Sequence, residues 1–134
     1  MITATREDYL RAIYLLEKDN MEVKAIDVAK KLDLAKSTVS ERLKELTMLG
    51  YVTHDDGKSI KFTKLGKLVA EQLTYKHRII EVFLSRLLKM DEKMVHQEAN
   101  RLEHAFSDNA IERLRILLND PKHCPHGQSI EKPR

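Results

Sequence analysis

The chain has no tryptophan, and its one cysteine, Cys124, cannot form a disulfide within it, which fits a reducing compartment. Glycine and proline are also scarce, four and three among 134 residues. With abundant Leu, Lys and Glu, this is the composition of a soluble helical protein. No apolar run reaches the roughly 20 residues needed to span a bilayer, and the first residues are polar rather than signal-like. These features together predict a cytoplasmic protein. There is no phosphate-binding glycine loop and no nucleophile constellation. The length suits one domain or two small ones, with a core but without a large catalytic scaffold.

Net charge is also small, at +3, too little to argue for nucleic acid by itself. Its distribution says more. Residues 24 to 67 hold ten Lys or Arg against six Asp or Glu, a local excess able to face a polyanion.

Taken in order, Thr5-Arg6-Glu7-Asp8 reads as a helix start, with Thr5 as N-cap and Asp8 as the returning capping-box acid. Tyr9, Leu10, Ile13 and Leu16 continue as its apolar stripe. A short helix over 25–32 and a second from Lys36 to Leu46, joined by Asp33-Leu34-Ala35, form the pattern of a helix-turn-helix. Gly50 ends the second helix. Asp56-Gly57 then turns between Tyr51–His54 and Ser59–Phe62, a β-hairpin that serves as the wing of a winged helix. Lys58 at its tip and Lys61 on its return strand are placed for phosphates. From Thr63 to about Lys89 follows one long helix or two nearly continuous ones. Its apolar residues almost encircle it beyond Ile79, which predicts burial between partners and hence a dimer. Further helices open at Met90-Asp91-Glu92 and at Ser107 or Asp108. Asp120-Pro121 breaks the pattern, and the remainder reads as a flexible tail. His123, Cys124 and His126 there could hold zinc, but three ligands so crowded beside a proline lack the usual paired spacing.

The polar run 96–104 interrupts an apolar helical pattern. At about 100° per residue, His96, Asn100, Glu103 and His104 fall within roughly a quarter of the circumference, while Val95, Ala99, Leu102 and Phe106 gather elsewhere. Imidazole and carboxylate at i, i+3 and i+4 suit zinc, manganese or iron(II). His77 and Glu81, again at i and i+4, form a second such pair. A solvated polar face is the plainer explanation of either pair alone.

Asp8 through Tyr14, the helix-turn-helix, the wing, His77 with Glu81, and Glu103-His104 together resemble the diphtheria-toxin-repressor family of metal-dependent transcriptional regulators, of the iron-dependent repressor and manganese transport regulator types. Cys124-Pro125-His126-Gly127 looks like that family's linker toward a third, SH3-like domain, which the sequence in hand lacks. The resemblance implies a mainly α fold. A winged-helix DNA-binding domain over 1–64 would precede a helical metal-binding and dimerisation domain over 65–120, with 121–134 as tail or linker. It implies a primary, activating metal position at Asp8, Asn100, Glu103 and His104, and an ancillary one at His77, Glu81 and His96. Metal would then fix the separation of two recognition helices, so that half-sites about 34 Å apart are read together.

The sequence departs from both family types. The methionine and cysteine of iron-type members are replaced by Asp8 and Asn100, which removes soft sulfur ligands from the primary position. Manganese-type members share the aspartate but have glutamates at the positions of Arg11 and Asn100. Arg11 brings positive charge that counts against a two-metal cluster, and Asn100 offers only a neutral amide oxygen. His96 matches the iron type. Iron(II) is favoured, with manganese(II) close behind, and nickel, cobalt or zinc as substitutes in vitro. For DNA, the family's reading positions map onto Ser37, Thr38, Ser40 and Glu41, with Lys36, Arg42 and Lys44 as backbone or edge contacts. The expectation is a homodimeric metal-activated repressor of metal homeostasis genes, not an enzyme. The alternatives are a metal-independent winged-helix regulator and, more remotely, a small metallohydrolase.

Overall fold

The computed structural model describes residues 4–19, 22–54 and 59–133. The fold among them is mainly α with one small antiparallel sheet: α1 (Ala4–Asp19), α2 (Ala25–Leu32), α3 (Lys36–Met48), β1 (Val52–Thr53), β2 (Lys61–Phe62), α4 (Lys64–Arg86), α5 (Glu92–Leu102) and α6 (Asp108–Leu117). The chain divides into two compact units, Met1–Glu71 and Gln72–Arg134, with the division inside α4.

In the first unit, Tyr9, Leu10 and Ile13 of α1 bury against Val28 and Ala29 of α2 and Val39, Leu43 and Leu46 of α3. This is the apolar spacing of three amphipathic helices meeting at one core. Asp33, in the left-handed conformation at φ 55°, ends α2, and its N–H reaches back to the carbonyls of Ala29 and Lys30. α3 then begins three residues later, at Lys36. Gly50 takes φ 85° after α3, and the strands pair Val52 with Phe62 and Thr53 with Lys61. The turn at Asp56-Gly57 and the wing-tip Lys58 lie outside the described residues.

One local expectation is overturned. Thr5 lies inside α1, which already includes Ala4. Thr5 therefore has helical backbone and cannot be the extended N-cap residue that a capping box requires, and Asp8 is not that box's acid.

In the second unit, Tyr75, Ile79, Ile80, Val82 and Leu84 of α4 pack with Val95 and Ala99 of α5, Ile111 of α6, and Leu118, Cys124 and Ile130. The nearly all-round apolarity of α4 is thus largely covered by the chain itself. The apolar side chains that stay exposed here are Leu87, Leu88, Met94, Ile116 and Leu117. Asp91 caps α5 by accepting from Lys93 N at 3.2 Å, and Ser107 caps α6 by accepting from Ala110 N at 3.1 Å.

The segment after Pro121, expected as a flexible tail, folds instead onto this unit. Cys124 N donates to Gln128 O and Ile130 N to Lys122 O, both at 2.8 Å, with an isolated bridge between His123 and Ser129. Cys124 and Ile130 are buried. The segment has little apolar periodicity, but these two side chains reach a core already present. No helix among the described residues is long and apolar enough to cross a membrane.

Candidate functional site

His77 and Glu81 sit one turn apart on α4, both buried, and His96 comes from α5. Val95 and Ala99, flanking His96 on α5, are anchored in the core, which turns the imidazole toward α4. His77 Nε2 lies 3.4 Å from Glu81 Oε1 and 3.2 Å from His96 Nδ1, and His96 Nδ1 lies 3.6 Å from Glu81 Oε2. The pairs at 3.4 and 3.6 Å are longer than well-formed hydrogen bonds. Ligand atoms about 2.0–2.2 Å from one zinc-like ion would stand roughly 3.3–3.6 Å from each other at tetrahedral angles. The three separations lie close to that spacing, with Glu81 facing His77 through Oε1 and His96 through Oε2.

Electrostatics agree with this geometry. Only 2% of the Glu81 side chain is exposed, and its Oε2 makes no well-oriented hydrogen bond among the described residues. An uncompensated buried carboxylate oxygen is costly. Burial is the largest influence on Glu81 and pushes its carboxyl up. The hydrogen bond from His77 and the charges of His77, His126 and His96 outweigh it, so the net shift is below the ordinary carboxylate value. Protonated imidazoles or a bound cation would each satisfy the carboxylate, and a cation does so while leaving the imidazoles neutral.

On its other side, His77 Nδ1 lies 3.3 Å from Glu103 Oε1, a buried contact. With a cation bound in place of the Nε2 proton and Nδ1–H donating to that carboxylate, Nε2 would turn its lone pair toward the ion, the usual arrangement behind a metal-binding histidine. Glu103 is the C-cap residue of α5, and His104 follows in a turn. Both therefore lie just past the helix on which the face argument placed them. Glu103 keeps αR backbone angles, so it continues the direction of the helix. A carboxylate oxygen of Glu103 and a ring nitrogen of His104 lie within 4.8 Å of each other. Asn100 is half-buried on α5, and Asp8 is exposed on α1 in the other unit.

Two contacts at this centre were not read from the sequence. One is the link between His77 and Glu103. The other is the approach of the 121–130 segment, where His126 Nδ1 stands 3.2 Å from Glu81 Oε2. Glu81, Cys124 and His126 form a second group of ligand atoms within 4.8 Å. His123, weighed with them in sequence, is exposed and pairs with Ser129 instead.

In the helix-turn-helix, Lys36, Ser37, Thr38, Glu41 and Lys44 are exposed along α3, and Ser40 is half-buried. Arg42 is held at 2.9 Å by Glu45, so a DNA contact from Arg42 would have to share its guanidinium with that carboxylate. Lys61 is exposed on β2.

Comparison with known proteins also gives two parts, divided just before α4. The iron dependent repressor N-terminal DNA binding domain matches residues 1–60, and the iron dependent repressor metal binding and dimerisation domain matches residues 63–132. An HTH-type transcriptional regulator of Methanocaldococcus jannaschii is 40% identical over 84% of this chain and 90% of its own length. The diphtheria toxin repressor of Corynebacterium diphtheriae is 33% identical over 94% of the chain, which spans 56% of that longer protein. The solved structure of a manganese-dependent transcriptional repressor in complex with manganese superposes with a TM-score of 0.88 at 31% identity, over 95% of this chain and 58% of that one. The matches cover both units, and the chain belongs to the iron-dependent repressor family, the metal-dependent transcriptional repressors that include the diphtheria toxin repressor.

Proposed function

We propose that this protein is a metal-activated repressor that binds operator DNA as a homodimer and regulates metal homeostasis genes, with iron(II) favoured and manganese(II) close behind. The observation that carries the reading is the convergence of His77, Glu81 and His96, with donor atoms 3.2–3.6 Å apart around a buried carboxylate. These three hold the ancillary ion. Asp8, Asn100, Glu103 and His104 hold the activating one, on the family resemblance. A bound divalent ion supplies positive charge that several ligands share at once. The rest is done by the chain. His77 touches Glu81 through one ring nitrogen and Glu103 through the other, so a change at either carboxylate is felt by the other. Ser37, Thr38, Ser40 and Glu41 present hydroxyl and carboxylate groups to base edges, while Lys36, Lys44, Lys58 and Lys61 meet phosphates without reading sequence. Leu87, Leu88, Met94, Ile116 and Leu117 offer the apolar surface for the second copy.

The test is anaerobic binding to a promoter fragment from the protein's own genome, with iron(II), with manganese(II) and with chelator. Binding is expected only with metal, and Glu103→Ala or His104→Ala should abolish that metal-dependent binding while the dimer persists by sedimentation. Equal affinity in chelator would replace this reading with that of a metal-independent winged-helix regulator.

A further inference from the structure

The face of α3 that presents Thr38 and Glu41 also carries a second carboxylate. At about 100° per residue, Thr38, Glu41, Arg42 and Glu45 fall within roughly 100° of the helix circumference. An unneutralised Glu45 there would repel the phosphate backbone of DNA. Two guanidiniums from two helices meet it instead. Arg42 Nη1 of α3 and Arg6 Nη2 of α1 donate to the same oxygen, Glu45 Oε2, at 2.9 and 3.3 Å. We propose that Arg6 and Arg42 form a binding site for one DNA backbone phosphate, which the Glu45 carboxylate fills in the free protein and the phosphate takes over on binding. Arg6 thereby joins the DNA contacts, and Glu45 is a positioning residue that holds the pair and competes for it. This rests on the reading that α3 is the helix that meets DNA.

The arrangement is built rather than a chance meeting of surface ions. Arg6 Nε and Arg42 Nε are both enclosed, while 27% and 31% of the two side chains stay exposed. The inner nitrogen of each fork is therefore sealed, and the exposure belongs to the rest of the side chain. Tyr9, on the same helix as Arg6, is buried in the core of the first unit. Burial pushes its phenol up, and the charge of Arg42 opposes that shift, so the Arg42 guanidinium stands beside a fixed ring. Forks held in place before a ligand arrives lower the entropic cost of binding it. All four residues lie within the part of the chain that matches a DNA binding domain.

Exchange of the acceptor costs little. Glu45 is 43% exposed, and an ion pair so open to solvent contributes only a few-fold to an equilibrium. Both forks share one oxygen of Glu45, whereas a phosphodiester offers a pair of non-bridging oxygens, one for each guanidinium. The displaced carboxylate can turn into water. A phosphate held between α1 and α3 fixes how the reading helix lies along the duplex and carries no base information. Its effect is thus on affinity for all sequences alike.

The test uses the whole chain, manganese(II) and a random-sequence DNA duplex. On the unaltered chain, the duplex should protect Arg6 and Arg42 from an arginine-specific dicarbonyl reagent, mapped by mass spectrometry, a readout that does not depend on any variant folding. In salt titrations, Arg6→Gln should lower the slope of log affinity against log salt by about 0.9, the share of one phosphate contact. Glu45→Gln should raise affinity about two- to fivefold, the strength of an exposed ion pair, and the gain should vanish in the Arg6→Gln/Arg42→Gln background. An Arg6 that reacts equally with and without DNA, with an unchanged slope in Arg6→Gln, would overturn the inference and leave Glu45 as a structural tie between α1 and α3. A Glu45→Gln gain that survives the loss of both arginines would overturn it as well, because removal of any negative charge from this face would then suffice. Failure of the unaltered chain to bind the duplex at any salt concentration would overturn the DNA-binding reading with it.

Discussion

Glu45 shows how single side chains hold the reading helix in place. Its carboxylate meets Arg42, one turn back on α3, at 2.9 Å and Arg6 on α1 at 3.3 Å, tying two helices of the first unit. Partial burial pushes this carboxyl up and is the largest single influence. The hydrogen bonds from Arg42 and Arg6 and their charges outweigh it, so its value in the folded chain lies below the 4.5 of an unperturbed glutamate. A depressed carboxylate stabilises the fold fully above its unfolded value and loses that contribution as pH falls through its folded value. Thermal unfolding followed from about pH 6 to pH 3 should therefore show an acid-side decline that Glu45→Gln makes shallower. The change should be small, because the group is partly exposed to solvent. At this same scale the sequence was least informative. Asp8 was legible as a polar residue in the first turns of a helix, but the capping role given to it failed because the helix starts earlier. His126 was legible only within the crowded His123-Cys124-His126 group, and nothing in the sequence pointed from it to Glu81, 45 positions away.

Among elements, the junction of α3, the hairpin and α4 is the most tightly built. Thr63 Oγ1 donates toward Gly50 O at 2.6 Å and accepts from Gly66 N at 3.1 Å, so one hydroxyl caps α4 and ties it to the end of α3. Gly66 is required for a different reason. A Cβ there would stand 1.8 Å from the Tyr51 carbonyl oxygen and 3.1 Å from the Phe62 ring. The Tyr51 carbonyl is backbone, so little there can give way. Gly66→Ala should destabilise the first unit by about 1–3 kcal/mol or more, read as a lower urea midpoint. An unchanged midpoint would mean that the strand and helix separate without cost. The helices themselves were legible: α2 falls on the expected 25–32 and α3 starts at the expected Lys36. Their apolar spacing, a three-residue connector and a terminating glycine are all local signals. The end of α5 at Leu102 was not, because Glu103 and His104 continue a helical pattern in sequence while the backbone turns away after them.

For the whole molecule, the candidate metal centre lies within the second unit, so an ion binding there stabilises that unit before anything else. At free metal about 100 times its dissociation constant, linkage gives roughly 2.7 kcal/mol. Calorimetry should show a transition that rises with cobalt(II) or iron(II), while His77→Ala removes the rise. A metal-independent melting profile in the unaltered chain would contradict the site. The family matches extend this view to DNA binding at one end of the chain and metal binding with dimerisation at the other.

The sequence by itself determined the helical class, the winged helix-turn-helix and the presence of two imidazole–carboxylate pairs, because helix periodicity, turn residues and i, i+4 spacing are short-range properties of the chain. Only the tertiary structure decided that α4 is largely covered by its own chain, that His77 joins Glu81 to Glu103, and that the residues after Pro121 return to Glu81. Each of these depends on which buried faces meet once the core closes, and packing between segments far apart in sequence leaves no periodic trace in either one.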